Sequence, residues 1–349
     1  MKPTTRAQYN AYCSQIALLN ATDTVTAKFT VTPSVQQKLE TKIQQSSDFL
    51  KQINIVPVDE QEGEKLGLTI SGPVASRTDT SGSGTRATSD PSGLENHPYR
   101  CEKTNSDTHL TYAKLDAWAK FPDFQTRIRD AILKQQGLDR IMIGWNGTHV
   151  AATTNKTTNP LLQDVNKGWL QQIREHAPTR VLAEGEVAAD TIYVGTGTVG
   201  TDVDYTSLDA LVFDALSLLD PWAKDDPELV VIVGSNLLDD KYFPIISQAA
   251  STATEVVARD QILRSAKQLG GKPAITVPFF PANALLITKL SNLSIYWQEG
   301  TRRRHVEDVP KRDRIENYES WNEAYVVEDY GYTALVENIV MGKKPAGGN

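Results

Sequence analysis

Between residues 71 and 98, 22 of 28 positions are Ser, Thr, Gly, Pro, Asp, Asn or Ala. Such a stretch cannot bury enough apolar surface to offset an ordering cost of about 1–2 kcal/mol per residue. Structureless loops beyond roughly 12–15 residues are uncommon in compact domains and are either functional or disordered. Two readings stand: a flexible linker, or a long hairpin ordered by a neighbouring molecule. The flanks favour the hairpin. Leu66, Leu68 and Ile70 alternate with polar residues, and a second extended stretch runs from about Tyr99 to Tyr112, as paired strands require.

The first 62 residues read as an arm. Tyr9, Tyr12, Ile16 and Leu19 fall at helical spacing. A second helix can start with Thr32 as N-cap and Pro33 at the first helical position. It places Val35, Leu39, Ile43, Leu50 and Ile53 on one broad stripe and ends before Val56-Pro57. The Thr-rich connection from Ala21 to Val31 has no periodicity and is within reach of a protease. Two short helices in series have little core of their own and must pack on something else.

Pro122 opens the longest helical signal, with Phe124, Ile128, Ala131, Leu138, Met142 and Trp145 at three- and four-residue steps and a stop at Gly144 to Gly147. At about 1.5 Å per residue this helix spans roughly 35 Å. A third unit begins near Tyr205. There Ser207 can cap a helix carrying Leu208, Leu211, Val212, Ala215 and Leu219, stopped by Asp220-Pro221. Leu229 to Val233 is a β-branched run suited to a strand covered on both faces, and Leu237 to Phe243 can form a short helix. From Ala274 onward strands dominate, through Ile275–Val277, Ala284–Lys289, Ser294–Trp297, Ala324–Val327 and Thr333–Val340, with a frayed tail at Lys343–Asn349.

Length and charge narrow the classes. The 349 residues suffice for two or three units. The chain is 40% hydrophobic and 23% charged, without the roughly 18-residue apolar run of a membrane span. Its amino end lacks the solid apolar core of a secretion signal, so a cytoplasm is the expected compartment. Cys13 and Cys101 form neither a metal pair nor a disulfide framework. Lys plus Arg number 36 against 43 Asp plus Glu, a net charge of −7, which disfavours tight duplex binding.

No catalytic constellation emerges. Gly195-Thr196-Gly197-Thr198-Val199-Gly200 matches the dinucleotide fingerprint, but Thr201-Asp202-Val203-Asp204 follows where a helix should start, adding carboxylates where an anion should sit. Gly270-Gly271-Lys272-Pro273 reads as a turn. His97, His109, His149, His176 and His305 stand singly, and Asp202 and Asp204 lack the pattern of a calcium loop. Asp225-Asp226 and Asp239-Asp240 are most simply solvated. No cofactor and no metal is expected. Thr301 to Arg314 mixes Arg302, Arg303, Arg304, Lys311, Arg312 and Arg314 with Glu307, Asp308 and Asp313. That blend suits ion pairs, within a chain or across an interface, better than a phosphate-binding patch. An arm, a long polar hairpin and a long helix together suit a subunit completed by identical copies.

Residues along the chain carry a resemblance. SSDFL (46–50) with INIVPV (53–58), LDAWAKFPDFQTRIR (115–129), NPLLQDV with GWLQ (159–171), SLDALV (207–212), DPELVVIVG (226–234), DKYFPI (240–245), LLITKLSNLSIY (285–296), RIENYES (314–320) and YVVEDY (325–330) resemble the major capsid proteins of P2-like tailed bacteriophages. Segments 71–98 and 181–205 match weakly. The resemblance implies an α+β fold of the HK97 capsid type. Residues 1–62 would be the amino-terminal arm and 63–115 the extended hairpin loop that overlaps an adjacent subunit. Residues 116–204 would be a peripheral domain with a spine helix over 116–150, 205–275 an axial domain, and 276–349 the strands returning to the peripheral domain, with the tail.

It further implies a structural protein, not an enzyme. Many copies, as pentamers and hexamers, would form the icosahedral head shell in the host bacterial cytoplasm and become part of the virion. The implied partners are a scaffold and maturation protease, a portal protein and non-specifically packaged double-stranded DNA, with no membrane. A proteolytic step is placed in the connection at Lys28-Phe29-Thr30, and inter-subunit contacts at Arg77, Arg86, Arg302, Arg303 and Arg304. The arm and loop are expected to gain order only by docking on neighbours. Some relatives cross-link through a loop lysine; residues 71–98 contain none, so the shell is expected to be non-covalent, with Lys103 and Lys114 the only candidates near the loop base. Two alternatives are a nucleotide-dependent enzyme using the Gly195–Gly200 loop and the shell of a cellular nanocompartment.

Overall fold

The structure is a computed structural model. It describes all residues except 1, 71–74, 76, 82–84, 87, 89–91, 119–123, 239–240, 242–266 and 346–349, and the backbone alone of 4, 65–70, 92–96, 118 and 124–125. The sequence reading of residues 239–243 as part of a short helix therefore lies largely outside the described residues, though Ser235–Leu238 are helical.

The arm opens with α1 (Pro3–Leu19), then the two-residue strand β1 (Phe29–Thr30) and α2 (Pro33–Gln45). Pro33 takes the first helical position after an extended Thr32, where its missing N–H costs nothing. The helix stops eight residues short of the expected stripe, because Ser46 Oγ turns back to the Ile43 carbonyl at 2.6 Å. Phe49, Leu50 and Ile53 follow in turns and still reach the main core. Next come β2 (Asn54–Val58), β3 (Glu62–Ile70), β4 (Ser92–Arg100), β5 (Glu102–Asn105), β6 (Thr108–Thr111), α3 (Tyr112–Trp118) and the spine helix α4 (Phe124–Asn146). They are followed by α5 (Trp169–His176), β7 (Val181–Leu182), β8 (Ile192–Val194), α6 (Leu208–Ala215) and β9 (Val230–Val233). The chain ends with β10 (Gln268–Leu269), β11 (Lys272–Ile275), β12 (Leu285–Thr288), β13 (Leu293–Gln298), β14 (Arg303–Val309), β15 (Arg314–Val327), β16 (Ala334–Val336) and β17 (Ile339–Met341).

Two sheets organise the body. The seven-stranded sheet centres on β15, which pairs antiparallel with β14 along 314–320 and with β13 along 323–327, while β5 and β6 pair along 314–323. β2 extends it in parallel beside β13, and β1 extends it beside β14. The six-stranded sheet runs β10-β11-β9-β12-β16-β7. Its central strands are covered on both faces, as the Leu229–Val233 run requires. Ile232, Leu286 and Leu335 face the core shared with α2, α4 and α5, whereas Val231, Val233, Leu285, Ile287, Ala334 and Val336 face a second core built on α6. Ser207 caps α6 by accepting the Ala210 amide at 3.2 Å.

The spine helix turns inward a face that matches its apolar spacing at Trp145 but not along its middle. Leu133, Gln136, Gly137, Arg140, Ile141 and Gly144 are buried, while Ala131 is exposed and Leu138 and Met142 are half-buried. Two glycines allow close crossings. A Cβ at Gly137 would stand 2.5 Å from Ser46 Oγ, and one at Gly144 would stand 2.2 Å from the Trp169 ring. Trp169 closes an aromatic group with Trp145 (4.9 Å), Tyr325 (5.4 Å) and Phe49 (6.0 Å) and donates its indole N–H to the Ser294 carbonyl at 2.9 Å.

The segment 62–100 is a hairpin. β3 and β4 pair antiparallel over nine residues, from Glu62↔Arg100 to Ile70↔Ser92, a ribbon of about 30 Å at roughly 3.3 Å per residue. Among the described residues this ribbon joins no third strand.

Candidate assembly surfaces

A buried ionic network ties the arm to the body. Arg140 of the spine helix donates to Glu40 of α2 at 2.6 Å and to Glu323 of β15 at 2.8 Å. Arg302, just before β14, donates to the other oxygen of Glu40 at 2.8 Å and to Glu319 at 2.7 Å. Gln136 bridges, accepting from Arg302 and donating to Glu319, both at 3.1 Å. The Trp321 N–H and Tyr325 hydroxyl complete Glu323 at 2.6 and 3.1 Å, and Trp321 presents its ring to both guanidinium groups. Arg302 and Glu323 are 0% exposed and Arg140 is 1% exposed. Burial opposes the charge on Glu319, but the nearby Arg302 and Arg304 outweigh it and hold the carboxyl below its usual range. Burial and then Glu323 push the Tyr325 hydroxyl well up, so it stays a neutral donor. Buried charges are tolerated only when paired and hydrogen-bonded in this way.

Arg302 is thus committed within its own subunit, turned inward just before β14, where Glu40, Glu319 and Gln136 take up its donors. Arg304 is also largely enclosed, donating to Tyr12 and Asn317, each at 2.8 Å. Arg303 points outward and is exposed, as are Arg77 and Arg86 on the hairpin. Nothing in the periodicity of α2 or α4 marked Glu40, Gln136 or Arg140. The one available signal was the excess of arginine at 302–304 opposite acidic positions in β15.

The arm docks on its own subunit rather than waiting for a neighbour. Ile16 and Val25 close a small core with Leu115, Val306 and Ile315, flanked by Tyr9, Tyr12, Leu110 and Ile128. Arg6 pairs with Asp308 at 2.5 Å, and Thr5 donates to Asp116 at 2.7 Å. The expected cleavage segment straddles the last part of this latch. Lys28 is exposed, whereas Phe29 and Thr30 pair with Arg304 and Arg303 at the sheet edge.

At the hairpin base, Tyr99 packs edge-on against Tyr296 at 5.0 Å, and His97 packs against Tyr330 and His176 at 4.8 and 5.5 Å. Burial and the neighbouring His97 lower the pKa of His176. Cys101, beneath this base, has its thiol pushed up to about 12 by burial, with Glu323 and Glu102 adding, so it is inert at neutral pH.

The glycine-rich loop is closed by its own carboxylates. Asp202 accepts the Thr198 amide at 3.1 Å, and Asp204 accepts the Val187 and Tyr193 amides at 2.9 and 2.7 Å. No helix starts there; α6 begins at Leu208. Among the described residues no group of three or more His, Cys, Asp or Glu is placed to hold a metal, and no helix is long and apolar enough to cross a membrane.

An arm latched by a buried network, a spine helix, a projecting ribbon and two sheets form the plan of a shell subunit. Residues 8–339 match the family "phage major capsid protein, P2 family". The chain belongs to that family. It is 50% identical to the capsid proteins of Escherichia phage P2, covering 98% of this chain and 96% of that one. It is 40% identical to the major capsid protein of Serratia phage KSP20 over the whole of both. Among solved structures, a chain of the satellite phage P4 procapsid, which includes the size determination protein, superposes with a TM-score of 0.79 at 48% identity, covering 98% of this chain and 99% of that one. A gene-transfer-agent capsid at 15% identity and a TM-score of 0.50 shares the fold. The HK97-type α+β fold and the structural, non-enzymatic role of a phage shell subunit follow, and they displace the nucleotide-enzyme and nanocompartment alternatives.

Proposed function

We propose that this capsid subunit tiles, as pentamers and hexamers, an icosahedral head assembled in the host cytoplasm with a scaffold and a maturation protease. The head carries a portal and encloses double-stranded DNA. The observation that carries the reading is the β3–β4 ribbon. A two-stranded hairpin is marginal alone in water, and this one finds no third strand among the described residues; an adjacent copy is the natural support. The units are those of the sequence reading: arm 1–62, extended loop 63–115, peripheral domain 116–204 with return strands 276–349, and axial domain 205–275.

Cleavage near Lys28-Phe29-Thr30 would cut the connection and release α1 while leaving α2, held by Glu40, in place. The shell is non-covalent, since the hairpin between 71 and 98 has no lysine. A net charge of −7 suits a wall that must not grip the genome during packing.

The test shortens the ribbon. Removing residues 67–95 and joining Leu66 to Asn96, which are register partners, through two glycines should leave soluble, folded subunits that fail to close shells by electron microscopy. Normal shells from that variant would refute the reading, as would a ladder of covalent multimers from wild-type shells on a denaturing gel.

A further inference from the structure

The outer face of the seven-stranded sheet carries cations that form no ion pair among the described residues. Thr30, Arg303, Ser320 and Asn105 are successive register partners across β1, β14, β15 and β5, so their side chains share one face. Lys103 lies two residues from Asn105, which returns it to that face, and Lys28 lies two residues before Thr30. Lys28, Lys103 and Arg303 line one cavity of about 350 Å³ together with Asn105, Tyr318 and Ser320. All three cations are exposed, and among the described residues none forms an ion pair. Of the acidic groups in the same cavity, Glu319 is paired with Arg302 at 2.7 Å, while exposed Asp107 accepts the Glu319 amide at 3.3 Å and stands as one carboxylate beside three cations.

The chain displays a counterpart. Asp59, Glu60, Glu62 and Glu64 lie within six residues between β2 and the hairpin, and all four are exposed. Glu62 meets Arg100 at 3.2 Å, and among the described residues the other three carboxylates have no cationic partner. The run is fixed in place, because Gln298 donates to the Asp59 carbonyl at 3.2 Å and the Glu299 amide to the Val58 carbonyl at 2.9 Å. Gln61, in the middle of the run, is tied to Cys101 by the Cys101 amide donating to its carbonyl at 2.8 Å.

We infer that the cation row of one subunit, Lys103 and Arg303 with Lys28 at its edge, receives the acidic hairpin base, residues 59–64, of a second copy. A surface for a phosphate backbone would interleave its cations with stacking aromatics. Here three cations stand among neutral Asn105 and Ser320 with Tyr318 as the one exposed aromatic ring named in the cavity, and every copy supplies a short run of four carboxylates. Repeated around a ring of copies, such a contact would run head-to-tail. This inference rests on the shell reading and assigns one of its contacts.

The test is a charge exchange in the full chain, with shells counted by electron microscopy and sedimentation. Lys103→Glu with Arg303→Glu, and separately Glu60→Lys with Glu64→Lys, should each lower the yield of closed shells more than about tenfold, since like charges facing each other weaken a contact by at least that factor. Circular dichroism and thermal unfolding should match wild type, because every altered side chain is exposed. The four substitutions combined should restore the yield to within about threefold of wild type. Normal shells from either pair, or no recovery in the combination, overturns the inference. So does Lys103→Glu with Arg303→Glu if it weakens retention on immobilised DNA while shells form normally, which assigns the row to a polyanion. Wild-type protein that never forms shells overturns the shell reading itself, a result distinct from failed rescue.

Discussion

Around Arg302 the seven-stranded sheet is joined to α2 and α4 by charged and polar groups buried to exclusion of solvent. Around Leu285 the six-stranded sheet is joined to α6 by hydrocarbon, through Leu211, Val212, Val231, Ile287 and Val336, with Asp209 accepting the Gly270 amide only at the sheet edge. The apolar side is non-directional: it rewards volume and tolerates small changes of shape. The ionic side is directional, because Arg302 must meet named oxygens on three separate chain segments and Arg140 on two. One sheet is therefore held by filling, the other by register. The registered side is the one that carries the arm, the hairpin base and the cation row, whose mutual positions matter to a neighbouring copy.

The comparison breaks first at Arg302. Arg302→Ala leaves Glu319 buried without its arginine, held by Gln136 alone, and Glu40 with only Arg140, and should cost about 3–5 kcal/mol in denaturant unfolding; a cost below about 1 kcal/mol would make the network incidental. Acid sharpens it next. The carboxyl of Glu319 titrates below its ordinary value of 4.5, so its contribution is present above that pH and is lost as pH falls through the lower folded value. The unfolding midpoint should drop accordingly, and Glu319→Gln should flatten that dependence while lowering stability at neutral pH. On the apolar side, Leu285→Met should cost less than about 1.5 kcal/mol, with no change in the pH profile; a larger loss would mean that this core too depends on shape.

The smallest effect belongs to the hairpin base. His176 titrates below its ordinary 6.5 because of burial and His97, so the folded form binds fewer protons than the unfolded one, and its contribution is lost as pH falls below that value. Protection factors at Tyr99–Cys101, taken against the intrinsic exchange rate at each pH, should fall below pH 6.5 in wild type and lose that step in His176→Asn.

Much of the fold could be read from the residues. Pro33, Ser207, the Leu229–Val233 run and the polar 71–98 stretch between extended flanks each stand where local chemistry leaves few choices, and each element appears. The spine helix was legible in extent but not, along its middle, in orientation. Its buried face carries Gln136, Arg140 and two glycines, which a search for apolar spacing passes over. β14 was missed because its alternation is charged, Arg303 to Val309, and the enclosure of Arg302 was hidden because a run of arginines reads as surface unless the opposing carboxylates are known. The docking of α1 on its own body was equally hidden, since the groove is assembled from β6, α3, α4 and β14.

The amino-acid order alone determined where helices and strands start and stop, that one long segment cannot make a core, and the family to which the chain belongs. Caps, prolines and period-two runs act over a few neighbouring residues, so their effects survive without any knowledge of the rest. Only the tertiary structure decided which side of α4 faces inward, which arginines are enclosed and which face solvent. Those outcomes depend on groups 100 to 262 residues apart, such as Glu40 with Arg140 and with Arg302. A charge is stable in the interior only once its distant partner has been brought against it.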